Sequence, residues 1–320
     1  MSQPVNVRDD QIVVVASTDD NYAYPLGVMF VSLLENTACP ESVALFIIDG
    51  GISQIKKDHL IRTIASYNAS LTFLDVNSEL YADFPTVAQI SAPAYYRISI
   101  PDLFGSSVKR AIYLDCDLIV QSDVTDLWQA DLEGQAIAAI ENISSSTYRQ
   151  SGLAQEDYFN SGVMVIDLDY WRAHGLPEKI RAFKVEHPEL ICTNDQCALN
   201  GVLRGQWKRL PIRWNHQSGL YRNSEQIKRL KHQNEWEAAV FSPSIIHYVG
   251  WAKPWITPCH HPLRQHFFHY QGVSGLPMTR VTSPFAGSIL NPRRHMTQLK
   301  KYLRKRKWQK QYRQRGIVLY

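Results

Sequence analysis

The sequence of 320 residues contains no run of about 18 uncharged apolar residues, so it predicts no membrane-spanning helix. Its first ten residues lack the apolar segment of a signal peptide, and none is expected. The five cysteines are few, odd in number and scattered, which favours a reducing, cytoplasmic location over a disulfide framework. The close pair Cys192 and Cys197 has no second pair beside it, so no zinc site is expected.

Acidic residues are absent after Glu237, whereas eleven Lys or Arg lie between Arg293 and Arg315. Removing these eleven cations from the net charge of +4 leaves a net charge of −7 for the rest of the chain. The apolar residues of this basic segment recur at intervals of three and four, which predicts an amphipathic helix. They are Met296, Leu299, Tyr302, Leu303, Trp308 and Tyr312.

Composition leaves three interpretations of this basic segment open: a solvated tail, a nucleic-acid arm and a membrane-surface anchor. Trp and Leu among the cations favour contact with an anionic membrane. Nucleic acid is the least favoured partner, because the acidic remainder of the chain would repel phosphate.

No glycine-rich G-x-G-x-x-G segment follows the first apolar run, residues 11–16, which disfavours both a Rossmann dinucleotide site and a P-loop. Instead, short apolar runs alternate with segments of helical spacing. The predicted strands are 11–16, 43–48, 71–76, 108–120, 132–140, 158–167 and 244–248. The predicted helices are 24–36, 54–67, 170–185 with an interruption near 175–177, and one that is capped by 193–196 and runs through Val202. A short helix is predicted to open at 91–97. This alternation predicts right-handed βαβ crossovers and a parallel sheet.

Two carboxylates, Asp115 and Asp117, lie two positions apart in the strand-like run 108–120. Residues i and i+2 of an extended chain point to the same side, so both carboxylates are expected to reach one point. Acids so close repel each other, and a shared cation is the simplest reason for their spacing. Ligands of open α/β sheets bind beyond the carboxyl ends of the strands. An Asx-rich turn is the alternative that this motif alone leaves open.

Six short motifs follow one another along residues 11–255. They are Thr18-Asp19-Asp20-Asn21-Tyr22, Ala94-Tyr95-Tyr96-Arg97, Tyr113-Leu114-Asp115-Cys116-Asp117, Tyr158-Phe159-Asn160-Ser161-Gly162-Val163, Asn194-Asp195-Gln196 and His247-Tyr248-Val249-Gly250-Trp251-Ala252-Lys253-Pro254-Trp255. In this order they resemble glycosyltransferase family 8, which includes bacterial lipopolysaccharide and lipooligosaccharide galactosyl- and glucosyltransferases and, more distantly, glycogenin. Cys197 departs from the pattern, since many members carry a second acid there.

The resemblance implies an α/β fold of the glycosyltransferase A type: a Rossmann-like, mixed, mainly parallel sheet that is flanked by helices and binds a nucleotide sugar. It implies a retaining transfer of galactose or glucose from a UDP-sugar to a glycan acceptor that is carried on a lipid. Manganese is the expected cofactor, with magnesium as the alternative. Residues 1–275 are expected to form the catalytic domain, and 276–320 a basic extension that lies on the inner face of the cell membrane.

The resemblance also assigns roles to individual residues. The metal ligands would be Asp115, Asp117 and His247. The diphosphate would contact Gly250 and Lys253, uracil and ribose would contact Asp19 and Asn21, and the donor hexose would contact Arg97, Asn160, Asp195 and Gln196. Thr18 and Cys116 complete the expected nucleotide-sugar set. The catalytic candidates are Gln196, expected near the anomeric carbon, and Asp195.

Retention of configuration normally requires a nucleophile on the far face of the sugar. Gln196 is a neutral amide and a poor nucleophile, and Asp195 is the one carboxylate near it in sequence. We therefore favour a front-face substitution in which the leaving phosphate takes the acceptor proton. Two other functions are considered: a glycosyltransferase with a protein acceptor, and a non-catalytic protein that binds UDP-sugars. The complete set of metal and diphosphate residues argues against the second.

Overall fold

The computed structural model describes residues 5, 7–84, 92–143, 148–191, 194–221, 235–250, 253–278, 281–282 and 292–317. Its strands are β1 Ile12–Thr18, β2 Val43–Asp49, β3 Ser70–Leu74, β4 Arg110–Leu114, β5 Leu118–Val120, β6 Ile137–Glu141, β7 Phe159–Asp167, β8 Trp207–Arg209, β9 His216–Gln217, β10 Ile245–His247, β11 Ile256–Thr257 and β12 Val281–Thr282. The residues Thr193, Trp251 and Ala252 of the predicted motifs lie outside the described residues.

The described helices flank these strands. They are α1 Ala23–Glu35, α2 Gln54–Ala65, α3 Pro93–Tyr96, α4 Ile100–Leu103, α5 Val124–Trp128, α6 Tyr148–Ser151, α7 Leu168–Ala173, α8 Leu176–Glu186, α9 Asn194–Val202, α10 Trp236–Phe241, α11 Arg264–Ser274 and α12 Pro292–Gln314. Among the residues that the structure describes, no helix is both long and apolar enough to cross a membrane.

The main sheet has the strand order β3-β2-β1-β4-β7-β6-β8. The pairs β3–β2, β2–β1, β1–β4 and β6–β8 are parallel, and β7 runs antiparallel to both β4 and β6. The predicted mixed, mainly parallel sheet is therefore confirmed. Parallel strands need crossover connections, and the helices that alternate with the first strands supply them.

Strand β1 shows why the sheet is covered on both faces. All seven of its residues are buried. Ile12, Val14 and Ala16 belong to one apolar cluster, with α1 among its members, whereas Val13 and Val15 belong to a second cluster that includes residues of α8 and α9. Because side chains alternate between the faces of a strand, an unbroken apolar run indicates a strand that is buried on both sides.

The run 108–120 is not one strand, so the extended geometry that we expected for Asp115 and Asp117 is wrong. Strand β4 ends at Leu114, and β5 begins at Leu118 in a separate three-stranded sheet with the order β5-β10-β9. The two acids lie in the turn where the chain passes from one sheet to the other. The two carboxylates therefore come together through a turn and not through strand alternation.

The strand predicted at 132–140 also begins later, at Ile137. A turn precedes it, in which Glu133 and Gly134 both have positive φ angles, 50° and 73°. The N–H of Gln135 donates to the carbonyl of Leu132 at 2.9 Å and closes the turn. The apolar Leu132 therefore belongs to the turn and not to the strand.

The basic segment forms α12, as predicted, and its last turns pack on the body of the protein. Tyr312 is fully buried, and its hydroxyl donates to the carbonyl of Val240 at 2.5 Å and lies 2.7 Å from the hydroxyl of Tyr221. The ring of Trp308 lies 6.1 Å from that of Phe241. The division at residue 275 remains a prediction, and the end of the extension shares the core of the larger part.

Candidate active site

A pocket of about 380 Å³ opens beyond the carboxyl ends of β1 and β4, where the fold places ligands. It contains every predicted site residue except Asn21, whose side chain is exposed outside it. The predicted residues that line it are Thr18, Asp19, Arg97, Asp115, Cys116, Asp117, Asn160, Asp195, Gln196, His247, Gly250 and Lys253. The structure thus brings residues from all six motifs together around one pocket.

Asp115, Asp117 and His247 form a cluster in which one ligand atom from each lies within 4.8 Å of the others. The Nε2 atom of His247 is 3.2 Å from an oxygen of Asp117 and 3.7 Å from an oxygen of Asp115. Two carboxylates and an imidazole facing one point can hold one metal ion, and oxygen ligands with a single nitrogen suit Mn²⁺ or Mg²⁺.

The three-stranded sheet explains why residues so far apart in sequence meet. In the antiparallel pair of β10 and β5, His247 lies opposite Leu118, the residue that follows Asp117. The N–H of Tyr248 donates to the carbonyl of Asp117 at 3.0 Å and extends this pairing into the turn. The N–H of Asp115 donates to the carbonyl of Gly162 at 2.9 Å, which ties the first acid to β7.

Gly162 leaves the room that the cluster needs. A Cβ atom at this position would clash with Cε1 of His247 and with a carboxylate oxygen of Asp115. Any larger residue would displace two of the three potential ligands. The glycine of the Asn160-Ser161-Gly162 motif is therefore required by the site and not by the backbone conformation.

Lys253 contributes a positive charge to this cluster. Its Nζ forms an ion pair with Asp117 and donates to the carbonyl of Tyr248 at 2.9 Å. Burial alone would raise the pKa of Asp117, but the ammonium group of Lys253 and the contact with the His247 imidazole outweigh it and hold that pKa well below the usual range. Gly250 has a φ of +81° in the turn that leads to Lys253, a conformation that favours glycine.

Arg97 lies buried between the metal cluster and α9. Its guanidinium pairs with Asp115 at 2.9 Å and with Asp195 at 3.1 Å. It also donates to the carbonyl of Ser161 at 2.8 Å and lies 4.2 Å from the ring centre of Tyr113. Burial raises the pKa of Asp195 to about 6, although Arg97 acts in the opposite direction. Arg97 thus links two carboxylates, and only a small part of its side chain faces the pocket.

Asn160 and Gln196 form an amide pair at the other end of the pocket. The Nδ2 atom of Asn160 donates to Oε1 of Gln196 at 3.1 Å, and the backbone N–H of Ser161 donates to the same oxygen at 3.2 Å. The backbone N–H of Gly162 donates to Oδ1 of Asn160 at 3.2 Å. Backbone groups of β7 therefore hold both amides in place.

Asp19 lies at the carboxyl end of β1 and caps the short 3₁₀ helix Asp20–Tyr22. Its Oδ1 accepts from the backbone N–H groups of Asn21 at 3.0 Å and Tyr22 at 3.3 Å. Cys116 is buried and its thiol donates to the carbonyl of Ser17 at 3.3 Å. Burial raises the pKa of this thiol, which keeps Cys116 neutral in the structure.

Cys197 does not line the pocket. Its Sγ lies 3.2 Å from the hydroxyl of Tyr158, and both side chains are buried. Sequence reasoning gave no role to Tyr113 and Ser161, which support Arg97, although both belong to predicted motifs. Asn215 was missed entirely, because it belongs to none of the six motifs. The one sequence signal that could have found it is the polar run 215–217, which lies in a buried region.

A pocket beyond the ends of parallel strands, with an Asp-x-Asp pair and a histidine at its floor, is the arrangement of a metal-binding α/β glycosyltransferase. The fold and the site together define this class of enzyme. Comparison with known proteins gives the family: the model of glycosyl transferase family 8 matches residues 13–258, and the chain belongs to that family.

Individual proteins and one crystal structure are similar to this chain. General stress protein A of Bacillus subtilis (strain 168) is 38% identical over 274 residues, which cover 84% of this chain and 96% of that protein. The lipopolysaccharide 1,2-glucosyltransferase of Escherichia coli (strain K12) is 27% identical over 262 residues, 78% of this chain and 75% of that protein. The crystal structure of the galactosyltransferase LgtC with donor and acceptor sugar analogues matches with a TM-score of 0.75 and 25% identity, covering 83% of this chain and 98% of that chain.

Proposed function

We propose that this glycosyltransferase transfers galactose or glucose from a UDP-sugar to a glycan acceptor with retention of configuration, and that it needs a divalent cation. The observation that carries the proposal is the cluster of Asp115, Asp117 and His247 beside Lys253 in one pocket. A relative named as a lipopolysaccharide glucosyltransferase, and a similar structure crystallised with donor and acceptor sugar analogues, support a saccharide acceptor.

Asp115, Asp117 and His247 would hold the cation, and the imidazole favours Mn²⁺ over Mg²⁺. When bound there, the cation would stabilise the charge that the UDP leaving group gains as the glycosidic bond breaks. Lys253 and the turn at Gly250 would contact the diphosphate, because a flexible ammonium group pairs well with phosphate. Asp19 and Asn21 would then contact the base and ribose near the end of β1.

Arg97, Asn160, Asp195 and Gln196 would contact the hexose. The structure favours a front-face substitution over a covalent intermediate, because the candidate nucleophiles are engaged. Asp195 pairs with Arg97 and accepts from the hydroxyl of Ser161, both at 3.1 Å. The amide oxygen of Gln196 accepts two hydrogen bonds.

Donor hydrolysis without an acceptor tests this proposal most directly. Purified protein with Mn²⁺ is expected to release UDP from UDP-galactose or UDP-glucose, and UDP-N-acetylglucosamine serves as a third donor. A coupled assay that measures UDP release identifies the donor sugar even when the acceptor is unknown. Binding of UDP without hydrolysis of any donor would instead favour a non-catalytic UDP-sugar-binding protein.

Asp19→Ala is expected to weaken UDP binding by roughly tenfold, the scale of one lost hydrogen bond to a charged group. Asp19 lines the pocket at the end of β1. Its carboxylate accepts from the backbone of Asn21 and Tyr22, neither of which is a proposed metal ligand. Isothermal titration calorimetry with UDP and Mn²⁺ measures the affinity. Asp20→Ala is the matched control, since Asp20 pairs with Lys56 and does not line the pocket. Equal UDP affinity in Asp19→Ala and wild type would place the base elsewhere.

We also propose that α12 binds an anionic membrane surface, where a lipid-linked acceptor would be met. The side chains of Leu299, Tyr302 and Leu303 are 51%, 43% and 54% exposed, unlike those of Trp308 and Tyr312, which pack on the body. Exposed cations alternate with them. They include Lys300, Lys301, Arg304 and Lys307. An apolar stripe beside cations is suited to the interface of an anionic bilayer.

Substitution of Lys300, Lys301 and Arg304 by Gln is expected to lower sedimentation with phosphatidylglycerol vesicles at least about tenfold, since each cation contributes about 1 kcal/mol near an anionic surface. Truncation before α12 is less informative, because it would uncover the residues that contact Tyr312. The control is Gln at the exposed Lys109, Lys179 and Arg204, which changes the net charge equally on the body of the protein. Equal loss in both triple variants, or no loss in either, would contradict a membrane role for α12.

A further inference from the structure

Asn215 joins the metal cluster to the amide pair at the hexose end of the pocket. It is fully buried at the end of the 3₁₀ helix Ile212–Asn215, directly before β9. Its Oδ1 lies 2.9 Å from Nδ1 of His247, and its Nδ2 donates to Oδ1 of Asn160 at 2.8 Å. Asn160 in turn donates to Gln196. Three side-chain amides therefore connect the imidazole of His247 to α9.

The polarity of this chain of amides follows from two backbone groups. An amide side chain has a donor end and an acceptor end, and its orientation must be deduced from its partners. The backbone N–H of Gly162 can only donate, so the atom of Asn160 that faces it is the oxygen. That oxygen then requires the nitrogen of Asn215, which leaves the oxygen of Asn215 facing His247.

The orientation of Asn215 decides the tautomer of His247. Because the oxygen of Asn215 can only accept, Nδ1 of His247 must carry the proton of their shared hydrogen bond. The other ring nitrogen, Nε2, is the one that faces Asp115 and Asp117. Its lone pair is then directed to the point where the two carboxylates converge, as a metal ligand requires.

The same polarity fixes the other end of the chain. The backbone N–H of Ser161 also can only donate, so the atom of Gln196 that it meets is Oε1. Within the described residues, Nε2 of Gln196 takes no part in these bonds, and Gln196 lines the pocket. Because Oε1 already accepts two hydrogen bonds, the amide nitrogen is the polar atom of Gln196 that these bonds leave available to a ligand in the pocket.

We propose that Asn215 is a positioning residue: it sets the tautomer of His247 for metal binding and, through Asn160, holds Gln196 with its amide nitrogen towards the donor hexose. This inference rests on the proposed metal-dependent function. Outer partners of a metal-ligating histidine typically change metal affinity or activity by about 10- to 100-fold when they are removed. Such an effect would come from a residue that touches neither the metal nor the substrate.

Two substitutions of Asn215 separate its two hydrogen bonds. Asn215→Leu has a similar shape and removes both, so the affinity for Mn²⁺ alone is expected to fall about 10- to 100-fold. Asn215→Asp keeps an acceptor for Nδ1 of His247 but loses the donor to Asn160. It is therefore expected to bind Mn²⁺ at least as tightly as wild type and yet to have a lower kcat for donor hydrolysis. The electron paramagnetic resonance signal of free Mn²⁺ measures the affinity without any turnover.

Gln217→Met is the matched control for loss of buried hydrogen bonds. Gln217 is also fully buried, two residues further along, and its side chain accepts from Ile143 and donates to Glu141 without contacting the chain of amides. This variant is expected to lose stability in a thermal melt but to keep its affinity for Mn²⁺. A positioning role is thereby distinguished from a general effect on packing.

The outcomes separate this inference from the proposed function. Wild-type protein that binds Mn²⁺, with loss of binding in Asp117→Asn, supports the metal site. If Asn215→Leu then binds Mn²⁺ as wild type does, the positioning role is wrong and the metal site stands. Equal loss of affinity in Asn215→Asp and Asn215→Leu would also overturn it, because the acceptor would not matter. Failure of wild type to bind Mn²⁺ would overturn the metal site and this inference together.

Discussion

Asp117→Asn is expected to lower the rate of donor hydrolysis by at least about two orders of magnitude, the scale that follows the loss of a charge-stabilising element. Asp117 is buried, meets Nε2 of His247 at 3.2 Å and pairs with Lys253. Asn has the same shape, so the fold is expected to remain intact. The substitution removes the negative charge that both the cation and Lys253 require.

The measurement is kcat for UDP release at saturating donor and Mn²⁺, together with a thermal melt of each protein. Asp167→Asn is the matched control, because Asp167 caps α7 by accepting from the N–H of Tyr170 at 2.8 Å and lies outside the pocket. It is expected to change stability and leave kcat unaltered. Near-normal turnover in wild-type protein treated with EDTA would contradict the metal site, regardless of the kcat of Asp117→Asn.

The fold of this chain can largely be predicted from its sequence, because the first strands are buried on both faces. The apolar runs that predicted β1 and β2 are almost wholly buried, and the helical spacing of 24–36 corresponds to α1. Such patterns report the local environment of each residue. The antiparallel direction of β7 is different, since it depends on how the chain returns to the sheet and leaves no periodic signal.

The candidate site could also be predicted only in part from the sequence. Asp115, Asp117 and His247 were predicted together by resemblance to a family, but the reason offered for the two acids was wrong. They meet because the chain leaves the main sheet at Leu114 and enters the second sheet at Leu118. Periodicity cannot show where a chain changes sheets. Asn215 was missed for a related reason: it is 32 residues from His247, and only the pairing of β9 with β10 brings them together.

The family resemblance predicts that Lys253 contacts the diphosphate, yet in the structure Lys253 pairs with Asp117, a proposed metal ligand. Without substrate, its ammonium group neutralises Asp117 and is itself buried. A cation entering the cluster must compete with that ammonium for the same carboxylate. Once displaced, Lys253 is free to pair with phosphate. Binding of the metal and binding of UDP are therefore expected to strengthen each other.

Lys253→Met is expected to change two affinities in opposite directions. Affinity for Mn²⁺ alone should rise roughly tenfold, because the competing ammonium group is gone and Asp117 loses the cation with which it is paired. Affinity for UDP with Mn²⁺ should fall, and turnover should fall by at least about a hundredfold, because a charge-assisted contact to the leaving group is lost. The free Mn²⁺ signal and titration calorimetry with UDP measure the two affinities separately.

Lys253→Arg and Lys56→Met complete the experiment. Arg keeps the positive charge, so Mn²⁺ affinity in Lys253→Arg should stay close to that of wild type even if its longer, planar group positions phosphate poorly. Lys56 pairs with Asp20 outside the pocket, and its removal should alter neither affinity. A lysine that only contacts phosphate would leave binding of Mn²⁺ alone unchanged in Lys253→Met. That result would contradict competition between Lys253 and Mn²⁺ for Asp117. Tighter Mn²⁺ binding together with weaker UDP binding in Lys253→Met requires that Lys253 pairs first with Asp117 and then with the diphosphate.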